Sequence, residues 1–203
     1  MPPSRRTPSL KGQILTCLLS VALAIIITTS FHPEPTFSEW KVGLPIGVQF
    51  AIAGVFAALC SVGAVIAVQL PYVQRLVRVP KVLQHIDLSG AMPWMVGLCA
   101  GVGEELLFRA ALQPLVGLWI GAVIFAAAHV RTAALGSTSN TKRVAYILNI
   151  AIAGVVLGLV FEHLGLLAAV LIHATIDVVG LLVYRFLSTR LAPPSDEVGK
   201  PIA

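Results

Sequence analysis

The chain has 203 residues, of which 57% are hydrophobic and 11% charged, with a net charge of +5 and a mean hydropathy of +0.91. A soluble domain carries about 25% charged residues, so this composition excludes an ordinary soluble domain and points to a polytopic membrane protein. The excess of basic residues lies in loops, where orientation signals belong, and does not imply a nucleic-acid partner.

Arg5, Arg6 and Lys11 precede an apolar stretch. It is long enough to span and lacks a small-residue cleavage site before His32-Pro33, so it reads as an uncleaved first helix rather than a signal peptide. Apolar runs near 13–31, 43–70, 91–113, 115–131, 144–162 and 165–187 predict about six transmembrane helices in an all-α integral membrane bundle. A span takes about 20 residues, so the fourth run is short and the second long. Helices are expected because backbone groups in lipid must be paired within the segment, and the runs lack the alternation of a barrel. The organisation is a cytoplasmic segment 1–12, a bundle over 13–190 and a polar, proline-containing tail over 191–203. The basic segment 71–90, with Arg75, Arg78 and Lys81 among apolar residues, reads equally as an interfacial helix or a plain loop. Cys17, Cys60 and Cys99 lie in apolar runs and read as small hydrophobes without a disulfide framework.

With the N-terminus in the cytoplasm, every one of the 14 Lys and Arg residues except Lys41 and Arg109 falls on the cytoplasmic side. That asymmetry predicts both termini cytoplasmic; the protein is expected in the cell membrane. Trp40, Trp94, Trp119, Tyr72, Tyr146 and Tyr184 lie near span ends, as an interfacial belt requires.

Ionisable groups inside spans are expensive and mark function by default. Here they form three patterns. In Gly103-Glu104-Glu105-Leu106-Leu107-Phe108-Arg109, Glu105 and Arg109 share a helix face and can pair, while Glu104 points about 100° away, free to face another helix. In Phe125-Ala126-Ala127-Ala128-His129, small residues allow close helix approach. In His173-Ala174-Thr175-Ile176-Asp177, a histidine and a carboxylate share a face of the last span. Gly97 with Gly101, and Gly154 with Gly158, carry a glycine spacing that favours tight helix packing. His129 stands two residues from Arg131, so by helical rise it should lie shallower than Glu104 and His173.

Together these motifs resemble the CPBP (CAAX protease and bacteriocin-processing, or Abi) intramembrane endopeptidases, whose pattern is Glu-Glu-x-x-x-Arg, then Phe-x-x-x-His, then His-x-x-x-Asn/Asp. The resemblance covers a core within 91–187. It implies an endopeptidase that hydrolyses a peptide bond of a lipidated or membrane-anchored substrate, with membrane lipid as the other partner. It also implies Glu104 as general base, His129 helping to hold the water, Arg109 securing Glu105, and His173 with residue 177 stabilising the oxyanion. Asp177 replaces the Asn of the prenyl endopeptidase type. It is expected to act protonated, to orient His173, or to support a metal. Glu104, His129 and His173 also make a three-ligand set for zinc, so metal-dependent and metal-free routes both stay open. The competing readings are a non-catalytic immunity or scaffold protein of the same fold, and a proton-coupled transporter, for which no paired halves are visible.

The topology is testable. Reporter fusions after Lys41 and Glu162 are expected to read as external, and those after Lys81, Lys142 and Arg190 as cytoplasmic. A cytoplasmic signal at Lys41 would overturn it.

Overall fold

The computed structural model describes residues 10–32, 43–70, 88–130 and 140–191. The expectations for the first nine residues, for 71–87 of the basic segment and for the tail from 192 fall outside the described residues. The described chain is helical: α1 (Leu10–Phe31), α2 (Ile46–Ala67), α3 (Met92–Glu105), a π-helical segment (Leu106–Leu112), α4 (Gln113–Ala128), α5 (Asn140–His163) and α6 (Leu166–Leu191).

Among the described residues, five stretches are long and apolar enough to cross a membrane. One of them, Met92–Ala128, runs for 37 residues and is not straight. Gly117 leaves helical geometry at φ 80°, ψ 168°, a region L side chains rarely adopt. The chain folds back there. Phe108 and Phe125 would lie about 25 Å apart on a straight helix, yet their ring centroids are 5.1 Å apart. The third and fourth expected spans are therefore the two limbs of one hairpin. The return limb after Gly117 is only about 16 Å long, shorter than the hydrocarbon core of about 30 Å. It brings His129 Nε2 back to 3.6 Å from Glu104 Oε2, so the difference in depth expected between these two residues is absent.

Small residues set the packing. A Cβ on Gly101 would stand 2.8 Å from the Val170 carbonyl oxygen and 2.9 Å from the Ala174 Cβ, so α3 and α6 touch backbone to backbone. Gly97 makes the same approach to Val178 and Ala174 one turn earlier. On the other side, Gly154 of α5 sits against Ala122 and Phe125 of α4. Close contact of this kind replaces the hydrophobic driving force that is absent between helices in lipid. It also fixes registry: Ala174 on Gly101 places His173 and Asp177 beside Glu104 and Glu105.

The α2 helix is tied in at one end. Gln49 donates to the Leu44 carbonyl (2.7 Å) and accepts from the Ala168 amide (3.0 Å), and the Leu44 amide reaches the Leu164 carbonyl at 2.8 Å. Large apolar side chains such as Leu59, Val62 and Val65 project outward from α2, a surface suited to acyl chains and too extensive for water. The fold is that of an integral membrane protein.

Gly101→Ala is expected to destabilise the protein by about 1–3 kcal/mol, because backbone atoms of α6 cannot yield cheaply. Gly63→Ala, with nothing within 4 Å of the added carbon, is expected to be neutral or mildly stabilising. Thermal unfolding in detergent separates the two.

Candidate active site

The largest fully buried side chains include Arg109 and Glu105. Glu105 closes α3, and Arg109 stands one turn on, inside the π-helical segment. π-helical turns are rare and concentrate at functional sites. The Arg109 Nε donates to Glu105 Oε2 at 3.2 Å. The same carboxylate has a second partner: His173 Nδ1 lies 2.7 Å from Oε1. Since that oxygen can only accept, Nδ1 carries the ring proton and donates. Glu105 thus joins α3 to both the π-helical segment and α6. The Arg109 Nη1 and Nη2 have no hydrogen-bond partner among the described residues. The guanidinium instead lies over the Phe125 ring, 4.9 Å from its centroid, a cation–π contact that offsets part of its desolvation.

Phe125 links the three motifs. Its ring centroid is 4.7 Å from that of His129 and 6.2 Å from that of His173. His129 caps the end of α4, where its Nδ1 donates to the Phe125 carbonyl at 2.8 Å. Both histidines are thus held through Nδ1, which leaves each Nε2 aimed at a common gap. Glu104 faces that gap from α3: its Oε2 is 3.6 Å from His129 Nε2 and 3.9 Å from His173 Nε2. Asp177 Oδ2 stands 3.7 Å from His173 Nε2. These separations exceed direct hydrogen bonds and are the kind a bridging water occupies. Glu104 Oε2 is shielded from solvent and has no hydrogen-bond partner among the described residues.

Exposure rises in one direction. Side-chain accessibility is 0% at Glu105 and Arg109, 9% at His173, 22% at His129, 26% at Glu104 and 36% at Asp177. The cluster has a closed floor and opens past Asp177. Tyr146 of α5 lies within electrostatic reach of Asp177 and Glu104.

All six residues singled out from the sequence meet in one cluster. Two features were not foreseen. Glu105 holds His173 as well as Arg109, so the orienting partner of His173 Nδ1 is Glu105 and not Asp177. Phe125 is a packing centre and not merely a spacer; its place four residues before His129 was the available signal. Zinc, the alternative occupant, takes tetrahedral Zn–N and Zn–O bonds of about 2.0–2.2 Å, which put donors roughly 3.3–3.6 Å apart; the Glu104 separations of 3.6 and 3.9 Å stand at and just beyond that range. No group of three or more His, Cys, Asp and Glu among the described residues is arranged to hold a metal ion.

The described residues thus form a membrane-type helical bundle around a buried carboxylate–histidine cluster. Residues 88–179 match the family model described as Type II CAAX prenyl endopeptidase Rce1-like, in agreement with the CPBP resemblance read from the three motifs. The match covers all six cluster residues. No curated protein and no solved structure matches the chain.

Removing Glu105 or Arg109 strands a fully buried charge, which typically costs about 3–5 kcal/mol. Glu105→Ala and Arg109→Ala are expected to lose folded yield and to unfold at markedly lower temperature in detergent, whereas Glu104→Ala is expected to stay close to the unsubstituted protein.

Proposed function

We propose that the protein is an intramembrane endopeptidase that hydrolyses a peptide bond with a water activated by Glu104. The observation that carries this reading is the gap itself: a partnerless carboxylate oxygen and two histidine nitrogens, each ring fixed from behind, face one point at water-bridging separations. A water at that point donates one hydrogen to Glu104 and the other to His129 Nε2.

The reaction balances within this group. Glu104 takes a proton from the water as its oxygen attacks the peptide carbonyl carbon. The carbonyl oxygen becomes an oxyanion, and His173, acting as an imidazolium that keeps its Nδ1 proton on Glu105 and carries a second proton at Nε2, donates to it. Glu104 then returns the proton to the departing amine as the C–N bond breaks, leaving a free carboxyl and a free amine. Asp177 borders the oxyanion position and supports it only in its neutral form, as a donor; an ionised carboxylate there would repel it. Arg109 and Glu105 touch no substrate and act by positioning His173.

The substrate is a membrane-associated peptide entering past Asp177. The family description makes a prenylated C-terminal peptide the first to test. We read the protein as a resident of the cell membrane, surrounded by lipid, and the charge asymmetry of its loops supports a cytoplasmic position for both termini.

Glu104→Gln keeps the size of the side chain and removes the base. It is expected to lower hydrolysis of a prenylated peptide by about two to four orders of magnitude, the usual contribution of a positioned base, with unchanged thermal stability in detergent. Near-full activity in this variant would show that Glu104 is not the base.

A further inference from the structure

Between Gly12 and Ile27, helix α1 is apolar apart from one stripe. Gln13, Thr16, Cys17 and Ser20 recur at the i, i+3, i+4, i+7 spacing that places residues on one helix face. On a helix surrounded by lipid, such a stripe should face protein or water. It faces α3. All four residues line a cavity of about 30 Å³ together with Cys99, Ala100, Gly103 and Glu104. Gly103 permits the approach, since a Cβ there would stand 3.1 Å from the Cys17 Cα and 3.4 Å from the Ser20 Cβ. Glu104 therefore has two sides: one borders the histidine gap, the other this cavity.

We infer that the α1–α3 cavity binds water and serves as the route by which water and protons reach Glu104. This rests on the reading of Glu104 as the base. The volume suffices for one water, which needs roughly 10–15 Å³ by this measure and two to four polar partners. The Gln13 amide, the Ser20 hydroxyl and the Glu104 carboxyl supply them, while the Thr16 hydroxyl, which donates to the Gly12 carbonyl at 3.0 Å, keeps only its acceptor side. The chemistry requires such a route. Each turnover consumes one water, and the other approach, past Asp177, is where the peptide must lie. A bound peptide closes that approach. The stripe spans about 10 Å along α1 at 1.5 Å per residue, from near the Leu10 end of the helix to the level of Glu104. It links the base to the end of α1 without crossing the substrate.

The cavity carries its own reporters. Cys17 and Cys99 line it, while Cys60 lies on α2, away from it. In the full chain in lipid vesicles, transfer to heavy water converts S–H to S–D, and infrared absorption follows each thiol, assigned with single Cys→Ser variants. The Cys17 and Cys99 thiols are expected to exchange at least about tenfold faster than Cys60, since exchange tracks access to water. Ser20→Leu, which fills the cavity, is expected to slow them by a similar factor and leave Cys60 unchanged; Gln13→Leu serves the same purpose if Ser20→Leu fails to fold. Exchange no faster at Cys17 and Cys99 than at Cys60, or rates indifferent to both substitutions, would overturn the proposal. On the prenylated peptide, Ser20→Leu is expected to lower kcat with little change in KM. Fast thiol exchange in a protein that cleaves nothing would leave the water site standing and remove the protease reading instead.

Discussion

Glu105 is a carboxylate without solvent access in the middle of an apolar bundle, and it accepts hydrogen bonds from two directions, Arg109 Nε at 3.2 Å and His173 Nδ1 at 2.7 Å. A lone carboxylate there would be prohibitively costly. With both partners in place it binds α3, the π-helical segment and α6 to one another. The orientation of His173 follows from this bond, and with it the direction of Nε2. The stability of the bundle and the aim of its central histidine therefore depend on one side chain.

Registry supplies the second constraint. The backbone contact of Gly97 and Gly101 with α6 sets which residues of the two helices stand opposite. The reversal at Gly117 folds the chain so that Phe125 and His129 return to the level of Glu104. A return limb of full membrane length would have carried His129 past the cluster. The site thus assembles from a glycine seam on one side and a short limb on the other, with Phe125 filling the space between Arg109 and both histidines.

Much of this was legible in the sequence because lipid penalises polar groups so heavily. Glu104, Glu105, Arg109, His129, His173 and Asp177 stood out against apolar runs, and the i,i+4 spacing gave the Glu105–Arg109 pair directly. The bundle class followed from hydropathy alone. The bond between Glu105 and His173 was not legible, since it joins residues 68 apart and depends on the α3–α6 registry. Nor was the depth of His129: hydropathy runs continuously through Gly117, and only the backbone angle there reveals the reversal. The polar stripe of α1 was visible at helical spacing, but its meaning required knowing that Glu104 lies on the helix it faces.

The central claim is that a water held by Glu104 becomes part of the product. Mass spectrometry of peptide hydrolysis run in heavy-oxygen water tests it most directly. The account predicts one heavy oxygen in the new carboxyl terminus after a single turnover by the unsubstituted protein, and no such product from Glu104→Gln. A labelled product formed at equal rate by both proteins, or a cleavage that incorporates no solvent oxygen, would contradict it.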